Sequence, residues 1–186
     1  MKAIEEILKN KEKIAALLPI YKEDLGNVTT VILQNGEEIL LRRSIESILH
    51  AICSYYTLHL RLLRKKQQKL LNCKYYLPLP LSKDLLLFPI KTRVPKVKND
   101  SSLSYINFFE VKKLDLSKTT LHLNNGKVID VLSTASTLKK RYHQASLIKQ
   151  LQEESAHIRD GDTTLRDLVL LRELLTGFIN SLSSSG

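Results

Sequence analysis

The sequence predicts an α+β fold: two β-hairpin-plus-helix units around a shared, mostly antiparallel sheet, with flanking N- and C-terminal helices. Three observations carry this expectation. Short β-rich runs bracket an Asn-Gly pair twice, at Asn35-Gly36 and Asn125-Gly126, and Asn-Gly supplies the positive φ that both central residues of a type I′ hairpin turn require. Each hairpin is followed by apolar residues at helical spacing. The two stretches also lie ninety residues apart. TTVILQNGEEI at 29–39 aligns without gaps on TTLHLNNGKVI at 119–129, with six of eleven positions identical. That alignment predicts an internal repeat over 28–72 and 118–152, within a single domain of residues 1–182.

Residues 3–18 read as a helix, because Ile4, Ile7, Leu8, Ile14, Leu17 and Leu18 form an apolar stripe that Pro19 stops. The first hairpin follows, with strands near 28–33 and 38–41. Ile45, Ile48, Leu49, Ile52, Tyr56, Leu60 and Leu63 then recur every three or four residues, which predicts one long helix over 44–71. Pro78 and Pro80 make 75–80 extended. Leu85 to Phe88 reads as a buried strand closed by Pro89, and 90–100 as an exposed loop with four basic residues. Around SYINFFEVKKL, apolar residues fall on both faces, as in a central strand of a sheet. The second hairpin and its helix come next, the helix carrying Leu138, Tyr142, Ala145, Ile148 and Leu151 inward. A last helix is expected over 163–182, where Leu165, Leu168, Val169, Leu171, Leu175 and Ile179 form a wide stripe, and 183–186 reads as a frayed tail.

Charge is the informative part of the composition. The formal net charge is +10. From Arg42 to Lys98 thirteen Lys and Arg face only Glu46 and Asp84, net +11, while the rest of the chain is at −1. A basic field confined to the middle third attracts a polyanion. Arg61, Lys65 and Lys69 line one helix face at i, i+4, with Arg64 and Lys66 beside them. The helix dipole accounts for a few cations at a C-terminus, but not for five.

Catalytic signatures are lacking. The five His show no ligand spacing, Cys53 and Cys73 fit neither a zinc motif nor a disulfide framework, and no phosphate loop or nucleophile elbow occurs. No enzyme activity, metal or cofactor is expected. No signal peptide or run of about 18 apolar residues occurs, so the sequence reads as cytoplasmic, without a membrane partner.

Three short runs occur in a telling order: Leu85-Leu86-Leu87-Phe88-Pro89; the polar stretch with Arg93 and Pro95 leading to Ser104-Tyr105-Ile106-Asn107; and Thr120-Leu121-His122-Leu123-Asn124-Asn125-Gly126-Lys127. Together they resemble the competence transcription factor ComK family of Gram-positive bacteria. In that family an LFP run precedes a variable loop, a strand with a W-I-S/N-like element and a strand–NGK–strand–helix unit. The resemblance spans about 75–151. Tyr105 stands where Trp is often found, and Ala135-Ser136-Thr137 replaces an aromatic and an Asn-Gln pair. Residues 1–27 and 155–186 show no such likeness.

The resemblance implies a cytoplasmic, DNA-binding activator of genes for DNA uptake. It further implies A/T-rich double-stranded DNA bound largely through the minor groove, a homo-oligomer, and a proteolytic adaptor as a partner. On that footing Lys91, Arg93, Lys96 and Lys98 form the arm expected to enter a narrow minor groove. Arg61, Arg64, Lys65, Lys66 and Lys69 are expected on phosphates, with Arg42 and Arg43 at the first helix start. Lys139, Lys140 and Arg141 are the corresponding candidates in the second unit. Two other readings compete. One is a protein-interaction or adaptor module docking through the 163–182 helix. The other is an RNA-binding protein stacking bases on Tyr105, Phe108 and Phe109.

Overall fold

The computed structural model describes residues 6, 7, 9, 14–98 and 100–159, with side chains as far as 154. The expected helix at 163–182 and the tail at 183–186 lie outside the described residues. The chain divides into two compact units, 1–148 and 149–186.

The fold of the first unit is α+β. Strands β1 (Ile14–Lys22), β2 (Gly26–Leu33) and β3 (Glu38–Leu41) form an antiparallel meander, followed by helices α1 (Ile45–Tyr55) and α2 (Leu60–Leu71). Next come β4 (Leu79–Pro80), β5 (Leu86–Lys91), β6 (Leu103–Asn107), a 3-10 turn over Phe108–Glu110, and β7 (Val111–Asp115), β8 (Thr120–Leu123) and β9 (Val128–Asp130). Helix α3 (Ala135–Arg159) starts in this unit and continues into the second, where Lys149 and Glu153 pair at 3.0 Å.

One shared sheet was expected, but there are two. Six strands run in the order β3-β2-β1-β6-β5-β4, and β7-β8-β9 form a separate sheet. The 3-10 turn at Phe108–Glu110 causes the split. It ends the β6 ladder and redirects the chain, so the single strand expected over 103–114 belongs to both sheets in succession. The expected central position of β6 is found, between β1 and β5.

Each hairpin thus gains a third strand, and the unit becomes strand–strand–strand–helix in both halves. The ninety-residue offset persists: Gly36 and Gly126 have φ of +86° and +84°, and the helices start at Ile45 and Ala135. Both helices are capped by a hydroxyl, since Ser44 Oγ accepts from Ser47 N at 3.3 Å and Thr134 Oγ1 from Thr137 N at 3.2 Å. The two Asn-Gly turns meet, with Asn125 Nδ2 donating to the Leu33 carbonyl at 2.8 Å and Lys127 pairing with Glu38 at 2.6 Å.

Two expected helices are corrected. Of the helix expected over 3–18, the described residues 6, 7 and 9 are helical, but residues 14–22 are strand β1, whose Ile14 to Leu17 are all fully buried. Such a run shows no strand alternation because both faces are covered. Pro19 is tolerated because β1 pairs with β6 only through Ala16 and Leu17, leaving Pro19 with a neighbouring strand on one side. The long 44–71 helix is broken at Tyr56–His59, where Thr57 takes φ +57° and Leu58 N bonds Cys53 O at 2.8 Å. The strand expected to close at Pro89 continues through it to Lys91.

The six-stranded sheet is covered on both faces. Leu17, Val31, Leu87 and Tyr105 share a core with Ile45, Ile48, Leu49 and Ile52 of α1 and Leu60 and Leu63 of α2. On β5 the alternate residue Phe88 points the other way, meeting Tyr142 of α3 edge-on at 6.1 Å, and Tyr142 stacks on Phe108 at 4.9 Å. Helices α1 and α2 therefore lie on one side of this sheet, and the start of α3, around Tyr142, on the other.

Candidate nucleic-acid interface

Helix α2 sorts its residues cleanly. Leu60, Leu63 and Gln67 are buried, while Arg61, Lys65, Lys66 and Lys69 are exposed. The helix lies over the large sheet with this cationic face outward. Arg42 and Arg43 are exposed in the β3–α1 connection, where the Arg43 carbonyl accepts from Thr29 Oγ1 at 2.9 Å. Lys96 and Lys98 are exposed in the β5–β6 loop, and Lys139 and Lys140 on α3. Because α2 and the start of α3 cover opposite faces of the sheet, the two helical groups of cations do not form one continuous surface.

Three of the candidate residues are committed inside the protein. Arg64 makes a bidentate pair with Glu46 of α1, at 2.5 and 2.9 Å, and Nη2 also reaches the Tyr105 hydroxyl of β6 at 3.2 Å. In an unbroken helix these two residues would sit about 27 Å apart, so this pair is what the break at Thr57 makes possible. The hydrogen bonds that Arg64 donates hold the Glu46 carboxyl below its ordinary range, and the same bonds raise the guanidinium in turn. Arg141 lies over the Tyr76 ring at 4.5 Å and donates to Gln144 Oε1 at 2.9 Å.

Arg93 is the third. It was expected to project from the loop, but its guanidinium faces inward. Nε donates to the Ser101 carbonyl at 2.7 Å, Nη2 to Asn27 Oδ1 at 2.8 Å, and Nη1 is buried. The group stacks over the Tyr21 ring at 4.3 Å. Lys91, at the end of β5, is half-buried and its carbonyl accepts from Leu132 N at 2.7 Å.

Glu46→Gln tests the Arg64 pair. The carboxyl is depressed in the folded state, so the stability it lends is present above its unfolded value near 4.5 and is lost as pH falls through the lower folded value. Both side chains are partly exposed, which limits the contribution to about 1 kcal/mol or less. The variant should unfold at lower urea than the parent at pH 7, and the gap should narrow at pH 3.

Among the described residues no three His, Cys, Asp or Glu side chains come together as a metal site would need. Cys53 and Cys73 are free, and burial pushes the Cys53 thiol up to about 11. No described helix is long and apolar enough to cross a membrane. Tyr105 is buried, and Phe108 stacks one face on Tyr142.

Sequence reasoning missed Tyr21 and Asn27, which anchor the β5–β6 loop through its Asp100 from 79 and 73 residues away. A Tyr and an Asn between an expected helix and an expected strand carry no local signal of such a role.

No curated protein and no solved structure matches this chain. The family model of the ComK protein matches residues 6–156. That range takes in the strand–strand–strand–helix unit of the first half as well as the second, well beyond the 75–151 stretch that carried the resemblance. The chain belongs to the ComK family.

Proposed function

We propose that this protein is a non-catalytic, DNA-binding transcription regulator that activates competence genes in the cytoplasm, holding A/T-rich duplex as a homo-oligomer under the control of a proteolytic adaptor. Membership of the ComK family supports the regulatory role. The single structural observation that carries DNA binding is the outward face of α2. Arg61, Lys65, Lys66 and Lys69 are all exposed there, on a chain whose positive excess lies between residues 42 and 98. An exposed row of cations one helical turn apart suits successive phosphates, which set register rather than sequence. Arg42, Arg43, Lys96 and Lys98 extend the field, and the β5–β6 loop is the element we assign to the minor groove. Lys139, Lys140 and Arg141, across the sheet, are left to a second duplex segment or a second copy.

The deciding experiment compares A/T-rich duplex, G/C-rich duplex and single-stranded RNA across a salt series. The reading expects the A/T-rich duplex to bind tightest at every salt concentration, with affinity falling linearly on a log–log plot. Equal binding of the two duplexes, or tighter binding of RNA, overturns it.

A further inference from the structure

The β5–β6 loop is tied to the first meander by four hydrogen bonds that involve the side chains of Tyr21 and Asn27. Asp100 accepts from two partners of the first meander, the Tyr21 hydroxyl at 2.6 Å on Oδ2 and Asn27 Nδ2 at 2.7 Å on Oδ1. The same Tyr21 hydroxyl accepts from the Lys96 backbone N at 2.8 Å. Asn27 in turn accepts from Arg93, and Arg93 also holds Ser101 and covers the Tyr21 ring. Both ends of the loop, Arg93 and Asp100, are thus fixed to two residues flanking the β1–β2 turn, and Asp100 N closes the far side on Val97 O at 3.2 Å. Between the clamps the exposed residues are Val94 and Val97, 69% and 61% exposed, with Pro95, Lys96 and Lys98. The clamped tip thus presents two apolar side chains beside two cations to solvent.

We infer that the 94–98 tip is a preformed contact for the minor groove of A/T-rich duplex, and that Tyr21, Asn27, Arg93 and Asp100 are positioning residues that hold it in shape. This rests on the DNA-binding reading above. The chemistry fits the partner. A narrow A/T minor groove has strongly negative potential and apolar sugar walls, and proteins that enter it combine cations with small apolar wedges. Lys96 and Lys98 supply the charge, and Val94 and Val97 the apolar contact. Arg93 contributes no direct contact, since all three guanidinium nitrogens are turned inward. Preorganisation matters because a loop ordered only on binding gives up affinity to conformational entropy.

The test uses the full chain and measures the ratio of affinities for A/T-rich over G/C-rich duplex, the salt slope and the thermal midpoint. Tyr21→Phe keeps the ring under Arg93 and removes the hydroxyl that bridges Asp100 to Lys96. It should lower the ratio by about fivefold or more and leave the salt slope within half a unit. Val94→Ser with Val97→Ser should lower the ratio similarly. Asp100→Asn should behave like Tyr21→Phe. Asn27→Asp combined with Asp100→Asn, which restores one carboxylate and one amide in exchanged places, should recover the ratio. That rescue separates positioning from mere loss of fold. If the parent prefers A/T-rich duplex while Tyr21→Phe and the valine variant keep that preference, the inference fails and DNA binding stands. A parent that shows no A/T preference overturns both.

Discussion

Replacing Asn107 with leucine is expected to cost about 3–5 kcal/mol of folding stability, a large share of the roughly 5–15 kcal/mol that holds a domain together. Asn107 is fully buried at the end of β6, directly opposite Leu87 of β5. Its Nδ2 donates to the Ile14 carbonyl at 2.9 Å and the Asp84 carbonyl at 3.2 Å. Its Oδ1 accepts from Leu86 N and from Phe109 N, both at 3.4 Å. One amide therefore joins the start of β1, the entry to β5 and the 3-10 turn that sends the chain to the second sheet. Leucine fits the volume but leaves two carbonyls and two N–H groups without this partner. Each buried polar group so orphaned costs on the order of 1–3 kcal/mol. Asn124 makes a neighbouring but exposed bond to the Phe109 carbonyl at 3.1 Å, and Asn124→Ala should cost under about 1 kcal/mol. Urea unfolding of the three proteins measures this. A loss below 1 kcal/mol for Asn107→Leu would mean that water replaces the amide and that the junction is not held by it.

Asn107 also shows where sequence reading reaches its limit. The Tyr105-Ile106-Asn107 run was legible as part of a family-like element, but not as the pivot between two sheets. Features set by a residue and its immediate neighbours were readable. Both hairpins turn at their Asn-Gly pairs, but not as the type I′ turns expected: only Gly36 and Gly126 take positive φ, Asn35 and Asn125 do not, and each glycine ends a three-residue loop. Ser44 and Thr134 start helices at the same offset. The misread elements are those decided by partners distant in sequence. The Ile14–Leu17 run fits a helical stripe as well as a strand, and only its burial between β2 and β6 decides for strand. The break at Thr57 follows from packing α2 beside α1, where Glu46 meets Arg64. The β5–β6 loop looked free because its anchors, Tyr21 and Asn27, lie on the far side of the first hairpin in sequence. The charge pattern marked where cations concentrate but could not separate those that face water from Arg64, Arg93 and Arg141, which are spent on carboxylate, carbonyl and ring partners.

That separation gives the second large effect. Changing Arg61, Lys65 and Lys69 together to alanine should weaken binding to every duplex by about a hundredfold to a thousandfold at 0.1 M salt, and should reduce the salt slope by nearly three units. Each phosphate contact releases counterions and contributes about 0.9 to the slope, so three contacts supply about 2.7 decades at that salt concentration. The three side chains are exposed and share one helix face, so their removal should leave the thermal midpoint close to that of the parent. The A/T-rich over G/C-rich ratio should also stay near its parent value, because phosphates carry no sequence information. A matched control removes the same charge elsewhere: Lys112, Lys113 and Lys118 are exposed on and after β7, in the smaller sheet. Their triple alanine variant should keep the parent slope within half a unit. Equal losses in the two triple variants would show that net charge alone draws the duplex, and that α2 is not its seat. A loss confined to the α2 variant, together with an A/T ratio that moves only when the β5–β6 loop is altered, would assign affinity to the helix and selectivity to the loop.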